Sequence, residues 1–118
     1  MKRADRQIIE KMRDYCDDGA AIVEQCAGEL SFFMDHFVYQ YAASMCILQM
    51  GELATRLSET VLSGSPQIPW RLIRGARNIH AHDYGRVKPE TIWDSLVNDF
   101  PVLRRQLQQL LDAETQMP

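Results

Sequence analysis

A basic and aromatic stretch in the second half of the sequence has the residue types of a phosphate-handling site. Residues 74–85 read RGARNIHAHDYG and place arginine, histidine and tyrosine side chains at close spacing. The chain as a whole is acidic, with a formal net charge of −3, so this local excess of positive charge stands apart from the rest. Arginine binds phosphate oxygens through paired hydrogen bonds, and histidine exchanges protons near neutral pH. The stretch therefore predicts chemistry on an anionic substrate.

The spacing of these residues decides which of them can act together. On a helix that turns ~100° per residue, one side carries Arg71, Arg74 and Asn78. Arg77 lies near the boundary of that side, and His82 is the i+4 neighbour of Asn78. On an unbroken helix Arg77 and His82 nevertheless point about 140° apart. We therefore expect them to meet at one phosphate only if the helix unwinds between them or if two subunits pair their sites.

The opposite side of the same helix is apolar, and we predict that it faces the core. It consists of Leu72, Ile73, Ala76 and Ile79. His80 projects close to Ile73 and is interpreted as a packed imidazole bonded to a carbonyl, which leaves His82 as the candidate for proton transfer. His80, His82 and Asp83 are also metal-ligand types, but side chains two residues apart on a helix diverge, and zinc-binding pairs are usually spaced i, i+4. We therefore expect neither a metal nor a cofactor.

The elements that must hold this stretch in place are helices. Apolar residues recur at alternating steps of three and four along residues 8–26, 46–61 and 92–110, the pattern of helices that bury one face. The pattern predicts a long first helix, a second that begins near Phe37 and ends before Ser63, and a last helix after Pro89 that Pro101 kinks. Around residues 28–35 we expect a break, with Ser31 capping a fresh helical turn.

The helix that carries the basic stretch is predicted over about residues 69–84. Pro69 suits its first turn, where a missing N–H costs little, and Gly85 is expected to stop it. Strand patterns are absent from the sequence. The prediction is a single all-α domain over residues 1–118, an up-and-down antiparallel helical bundle because the connections are short, with a frayed tail after Leu111.

Composition limits the class of protein. The chain has 118 residues, of which 46% are apolar and 25% charged, as is typical of one globular domain with its own core. No apolar run approaches the ~20 residues of a membrane span, and the N-terminus shows no signal-peptide segment, so we expect a cytoplasmic protein. The negative net charge argues against nonspecific coating of nucleic acid, which requires many phosphate contacts.

Several residues are assigned to the core from their positions in the helical patterns. Gly19 interrupts the first helix, where it is expected to permit the close approach of another helix. The cysteines show no zinc-site spacing and are expected to be reduced core thiols, and the methionines are expected to fill the core. These residues are Cys16, Cys26 and Cys46, with Met34, Met45 and Met50.

The basic stretch also matches a known motif. RNIHAHDY, at residues 77–84, has the arginine, four residues, histidine, any residue, tyrosine pattern of HEPN-domain ribonucleases. Further similarity lies in MGE at residues 50–52, IPW at residues 68–70 and DFPVL at residues 99–103. Over nearly its whole length the chain resembles the HepT-like toxins of bacterial toxin–antitoxin pairs.

This resemblance implies a fold, an activity and partners. The fold is a HEPN-like helical homodimer in which two motifs face each other across a cleft, and the activity is metal-independent cleavage of RNA by an endoribonuclease. The implied partner is an MntA-like nucleotidyltransferase antitoxin, which transfers AMP from ATP to the motif tyrosine, here Tyr84. A dimer of this kind would also bring Arg77 and His82 of different subunits together.

RNA can be cut without a metal when the 2′-hydroxyl attacks its own phosphate, because the nucleophile is already in place. In that reaction His82 is expected to act as general base or acid and Arg77 to stabilise the charge on the phosphate oxygens. The residues expected to support the site or bind RNA are Asn78, Arg74, Arg71 and Tyr84.

Two other functions remain open at this point. HEPN proteins that lack the motif act as non-catalytic binding partners of nucleotidyltransferases, and the complete set of Arg77, His82 and Tyr84 favours the enzyme over such a module. A helical interaction protein with no nucleotide role would leave the basic cluster unexplained. Glu52 either packs in its helix or pairs with a basic residue of the motif helix, and the sequence does not decide between the two.

Overall fold

A computed structural model describes residues 1–116 of the chain. Helices form most of this part, and a 3₁₀ turn at Tyr84–Arg86 and a π-helical segment at Ser95–Asp99 interrupt them. The helices are α1 (Arg3–Gln25), α2 (Leu30–Met34), α3 (Phe37–Ala54), α4 (Glu59–Gly64), α5 (Trp70–His82), α6 (Pro89–Asp94) and α7 (Phe100–Gln116). Residues 1–116 contain no strand, so the predicted all-α fold is confirmed.

The core is built by α1, α3 and the continuous run of α6, the π segment and α7. α1 packs against both α3 and α7, and α5 lies along α3. Burying one stripe from each of these helices closes the interior. The fully buried large side chains are Phe33, Ile9, Met12, Ile92, Leu96, Leu107 and Leu111.

The first helix follows its predicted pattern closely. Gly19 is buried where α1 crosses the π segment and the start of α7. A Cβ added at this glycine would lie 2.5 Å from a ring carbon of Phe100 and 3.2 Å from a methyl carbon of Leu96. The predicted close approach of another helix is therefore confirmed.

The second predicted helix is divided in two, which corrects the expectation of one helix up to Ser63. α3 ends at Ala54, and the stretch that contains Val61 forms the separate helix α4. Asp5 of α1 reaches this break, where its carboxylate accepts hydrogen bonds from the backbone N–H of Ser58 at 2.9 Å and from the hydroxyl of the same residue at 2.8 Å. A residue distant in sequence thus stabilises the start of α4.

The last helical run changes its winding before Pro101. This proline has no N–H to donate to the preceding turn, and the π segment stands immediately before it. Pro101 is thus preceded by a local π turn, and the kink predicted at this proline stays a prediction. Helix α7 extends past Leu111 to Gln116, the fraying expected after residue 111 stays a prediction, and residues 117 and 118 lie outside the described residues.

The cysteines behave as expected, whereas two of the methionines do not. All three cysteines are free and buried, and burial raises the pKa of Cys16 to about 12 and that of Cys46 to about 11. Met50 lies in the core, but Met34 and Met45 are exposed. Within residues 1–116, none of the helices is both long enough and apolar enough to cross a membrane.

The first half of α3 presents apolar side chains to solvent. We call this surface the α3 apolar face, and it consists of Phe37, Val38, Tyr41 and Met45. Each of these side chains is more than half exposed. Contiguous apolar surface of this kind is uncommon on monomeric soluble proteins and typically marks a contact with another molecule.

Candidate functional site

Helix α5 carries the basic stretch, and its first residue is fixed by a buried hydrogen-bond chain. The indole Nε1 of Trp70 donates to the hydroxyl of Ser65 at 3.1 Å, and that hydroxyl donates to the carbonyl of Val61 at 2.5 Å. Trp70 and Ser65 are both buried. Pro69 stands just before the helix, one residue earlier than predicted. The start of α5 is therefore held to α4.

The apolar side of α5 packs on the core only in part: Ile73 and Ala76 contact core side chains as predicted, whereas the prediction was wrong for Leu72 and Ile79. Leu72 is 74% exposed and Ile79 is 51% exposed. Ile73 and Ala76 are half-buried, so the helix is rotated from the orientation that its apolar residues alone would favour. Leu72, Ile73 and Ala76 line one wall of an open groove of about 440 Å³ beside α7.

Contact with α3 explains this rotation. At Gly51 the two helices approach so closely that an added Cβ would overlap the Cβ of Arg77 and lie 2.8 Å from the carbonyl oxygen of Ile73. Because Gly51 has no side chain, the backbone of α5 rests directly on α3. The stem of Arg77 thus occupies a contact position where an apolar residue would be expected.

Glu52, the residue after Gly51, meets the charged end of the same arginine. The Nε–H of Arg77 donates to Oε1 of Glu52, and its Nη1 donates to Oδ1 of Asn78 at 2.9 Å. Side-chain exposure is 36% for Arg77 and 31% for Glu52, so the ion pair is only partly open to solvent. The structure thus resolves the question about Glu52, which pairs with the motif helix.

His82 lies at the last position of α5 and is exposed, as is Asn78 one turn earlier. Its imidazole forms no hydrogen bond or ion pair with any residue in the described part of the chain. The helix is unbroken from Arg77 to His82, so the two side chains diverge by about 140° within one protomer. The structure therefore joins Arg77 to Asn78 but does not bring Arg77 to His82.

Arg71 and Arg74 extend the polar side toward the start of α5. Both are exposed, and neither makes an ion pair with another of residues 1–116. They line a shallow depression of about 350 Å³ whose lining also includes Glu59 and Pro66. Two unneutralised guanidinium groups one turn apart, on the side that also carries Asn78, form a surface with affinity for anions.

The end of the motif helix differs from the prediction. The helix stops at His82 and not near residue 84, because Asp83 takes a φ of −142° and a ψ of 31° that lie outside helical values. Tyr84 begins the following 3₁₀ turn, and its half-buried ring packs edge-on against Tyr41, with centroids 5.5 Å apart. Asp83 pairs with Arg86 at 3.4 Å.

His80 is half-buried between these groups, as expected for a packed imidazole. Its ring centroid lies 6.4 Å from that of Tyr84, and burial lowers the pKa of the imidazole. The predicted hydrogen bond to a carbonyl is not found at its buried Nδ1 atom, which has no partner among the described residues. Within the same residues, no cluster of three or more histidine, cysteine, aspartate or glutamate side chains could hold a metal ion.

Comparisons with known proteins place this arrangement in a family context. Residues 6–110 match the family profile described as ribonuclease HepT-like. The chain is 21% identical over 110 residues to "Putative RNase MJ1216" of Methanocaldococcus jannaschii, which covers 93% of this chain and 89% of that protein. It is 23% identical over 112 residues to "Probable ribonuclease HepT" of Thermococcus cleftensis, covering 93% and 98% respectively. No solved structure gives a significant match.

Proposed function

Because the chain belongs to the ribonuclease HepT-like family, we propose that it is the RNA-cleaving toxin of a toxin–antitoxin pair and that its active site is the polar side of α5. The observation that supports this most strongly is the cluster on that helix, where Arg77 is held by a hydrogen bond to Asn78, and Asn78 in turn lies one turn from an exposed His82. Arginine and histidine supply charge stabilisation and proton transfer, which is what metal-independent RNA cleavage needs.

The reaction proceeds by attack of the 2′-oxygen on the adjacent phosphorus. A new P–O2′ bond forms and the P–O5′ bond breaks, while one proton leaves the 2′-hydroxyl and one is given to the departing 5′-oxygen. His82 carries out one or both proton transfers, a role typically worth ~10²–10⁴-fold in rate. Arg77 binds the non-bridging oxygens, whose negative charge grows in the transition state. The products are a 2′,3′-cyclic phosphate and a 5′-hydroxyl.

A second copy of the chain completes the site, because one protomer points Arg77 and His82 apart. The α3 apolar face supplies a surface for that copy: Phe37, Tyr41 and Met45 are spaced four residues apart on one side of α3. Glu52, seven residues after Met45, lies on the same side of α3 and forms an ion pair with Arg77. A homodimer formed through this face sets two α5 helices on either side of a cleft, where Arg77 of one protomer and His82 of the partner subunit reach one phosphate.

The exposed arginines of α5 extend the cleft along the RNA backbone. Arg71 and His82 are about 16 Å apart along the helix axis at 1.5 Å per residue. Arg74 and Asn78 lie between them on the same side, so several consecutive phosphates are contacted. We expect this surface to bind single-stranded RNA, because proteins that recognise specific RNA sequences mostly bind unpaired segments.

An MntA-like nucleotidyltransferase neutralises the toxin by modifying Tyr84. The phenolic oxygen attacks the α-phosphorus of ATP, a P–O bond to tyrosine forms, pyrophosphate leaves, and the phenolic proton is released. Tyr84 is two residues after His82 and half-buried beside Tyr41, so an attached AMP places a bulky anion close to the proposed proton-transfer group. Protein carrying one AMP, identified by intact mass, should cleave RNA far more slowly than unmodified protein; an undiminished rate would refute this inhibition.

The test is cleavage of single-stranded RNA in excess EDTA by unmodified protein. Arg77→Ala and His82→Ala should each lower the rate by about 100-fold or more, because each removes a group that acts in the transition state. Arg105→Ala, which removes an exposed arginine of α7 away from the cluster, is the matched control and should cleave as the wild type does. Loss of cleavage in the control, or its persistence in both site variants, would contradict the assignment.

The same assay separates the enzyme from a binding module. An all-deoxy strand lacks the attacking hydroxyl and should remain intact. If folded, unmodified wild type cleaves none of a varied set of RNAs, the proposed activity is wrong, and the polar side of α5 is then a binding surface for RNA or for a nucleotidyltransferase.

A further inference from the structure

Glu52 lies beside the proposed site and has so far been given no part in its chemistry. We propose that Glu52 is a positioning residue, which holds the guanidinium of Arg77 in the orientation that meets the RNA phosphate. The inference rests on the proposed function, because it assigns Arg77 to the phosphate. It is carried by the hydrogen bond from Nε of Arg77 to Glu52, together with the second bond from Nη1 to Asn78.

Two bonds are enough to fix a planar group. A guanidinium has five N–H donors in one plane, and bonds at Nε and Nη1 define both the position of that plane and its rotation. Glu52 approaches from α3 and Asn78 from α5, so the two partners hold the group from different elements. Three N–H donors remain without a partner among residues 1–116, including both on Nη2, and these are available to phosphate oxygens.

The negative charge of Glu52 indicates that this residue orients Arg77 and does not strengthen RNA binding. A carboxylate next to an RNA-binding arginine cancels part of its positive charge and repels the phosphate backbone. A residue selected only to strengthen RNA binding would not be acidic. Ion pairs with this degree of exposure also contribute little to folding stability. The contribution that remains is geometric, since catalytic groups must be held close to their productive positions.

The helix contact places the carboxylate without further adjustment. Gly51 allows the stem of Arg77 to rest on α3, and the next residue on α3 is Glu52. The crossing of α3 and α5 therefore fixes both ends of the Arg77 side chain: its Cβ packs on Gly51, and its guanidinium bonds to Glu52. Glycine followed by glutamate forms a unit in which the first residue sets the distance between the helices and the second sets the direction of the side chain.

The test compares Glu52→Ala and Glu52→Gln with the wild type in the EDTA cleavage assay. Glu52→Ala removes the acceptor, so kcat should fall by about 10-fold to 100-fold while KM changes little. Glu52→Gln keeps an oxygen that accepts from Nε–H and should recover most of kcat. A wild-type kcat in Glu52→Ala would overturn the proposal, as would a Glu52→Gln variant no better than Glu52→Ala.

The matched control is Asp17→Ala. Asp17 of α1 accepts from Nε of Arg104 of α7 at 3.1 Å, so this variant also removes an interhelical carboxylate–arginine pair, but at a distance from α5. It should leave kcat unchanged. If Asp17→Ala lowers kcat as much as Glu52→Ala does, or if the loss in Glu52→Ala follows an equal loss of folded protein by thermal melting, Glu52 has only a structural role.

A direct measurement of the side chain does not depend on activity. The Arg77 Nε–H resonance, assigned by its disappearance in Arg77→Lys, should exchange slowly with water in the wild type and in Glu52→Gln, and fast in Glu52→Ala. Equal exchange in all three proteins would overturn the proposal at any cleavage rate. If the wild type cleaves no RNA, the proposed function is wrong, and the catalytic role of Glu52 is wrong with it. If the wild type cleaves RNA and Glu52→Ala cleaves it equally fast, only the positioning role of Glu52 is wrong.

Discussion

Two helix crossings in this molecule each have a glycine at the contact, but the two glycines accommodate different groups. At one, α1 passes over the π segment and α7 at Gly19; at the other, α3 passes over α5 at Gly51. A Cβ added at the first would meet side-chain carbons of Phe100 and Leu96. A Cβ added at the second would meet the Cβ of Arg77 and a backbone oxygen. The first glycine accommodates an apolar side chain, and the second accommodates another helix backbone.

The difference shows how a charged residue can be held at a helix contact. At Gly19 the partner is the ring of Phe100, which is buried in the core and contributes through apolar burial. At Gly51 the partner is Arg77, whose stem is in contact with α3 while its guanidinium reaches the surface. The first crossing stabilises the fold, whereas the second holds the arginine that we propose to bind the RNA phosphate.

The largest effect is expected from Gly51→Ala, which should lower both the free energy of unfolding and the rate of RNA cleavage. The new methyl group overlaps Arg77 and the backbone of α5, so the helices must separate. Overpacking of this kind typically costs ~1–3 kcal/mol in the free energy of unfolding, and a displaced catalytic group can cost about 100-fold in rate. Urea unfolding and the EDTA cleavage assay, both at a temperature where the variant is folded, measure the two effects.

Gly75→Ala is the matched control for this variant. Gly75 lies on α5, and a Cβ added there has no atom within 4 Å. Alanine in an open helical position should raise the free energy of unfolding by ~0.5–1 kcal/mol. A Gly51→Ala variant with normal stability and normal cleavage would show that the close contact at Gly51 does not position Arg77.

A smaller effect, on stability alone, is expected from Gly19→Ala. Its methyl group meets the Phe100 ring, which can shift only against neighbouring core side chains, so we expect a loss of ~1–3 kcal/mol in unfolding free energy. Since α5 does not take part in this crossing, the cleavage rate of the folded variant should match the wild type. A decrease in rate similar to that of Gly51→Ala would remove the proposed distinction between the crossings.

The smallest expected effect is a pH dependence of the free energy of unfolding that comes from His80 of α5. Burial lowers the pKa of His80 below its ordinary value, so the unfolded chain takes up this proton more readily than the folded one. The contribution of His80 to stability is therefore complete above the ordinary histidine pKa of about 6.5 and declines as the pH falls below it. His80→Phe should lose less unfolding free energy than the wild type between pH 7 and pH 5. A steeper loss in the variant would contradict this sign.

Local patterns predicted much of the fold, and contacts between distant residues account for what they missed. The stripes of α1 and α7 and the glycine at residue 19 were evident because each depends on one helical face. The start of α4 at Ser58 is bonded by Asp5, far away in the sequence, and the orientation of α5 follows its close contact with Gly51. Neither contact could be derived from periodicity.

The candidate site divides in the same way. The exposure of Asn78, His82 and the arginines could be predicted from helical geometry. The link between Arg77 and Glu52 required the packing of α3 on α5. The glycine–glutamate pair at residues 51 and 52 was the available signal, because a glycine inside a helix indicates a close contact and an adjacent acid can reach a base across it. The prediction that Met45 fills the core was wrong, because this residue belongs to the exposed α3 apolar face.

The most direct test of the central claim is the chemistry of the RNA ends left by wild-type protein in excess EDTA. The fragments should carry 2′,3′-cyclic phosphate and 5′-hydroxyl groups by mass spectrometry, and a single 2′-deoxy substitution before a cleaved bond should abolish cleavage there. Fragments with 5′-phosphate and 3′-hydroxyl ends, or continued cleavage beside the deoxy position, would exclude attack by the 2′-hydroxyl and contradict the roles given to Arg77 and His82.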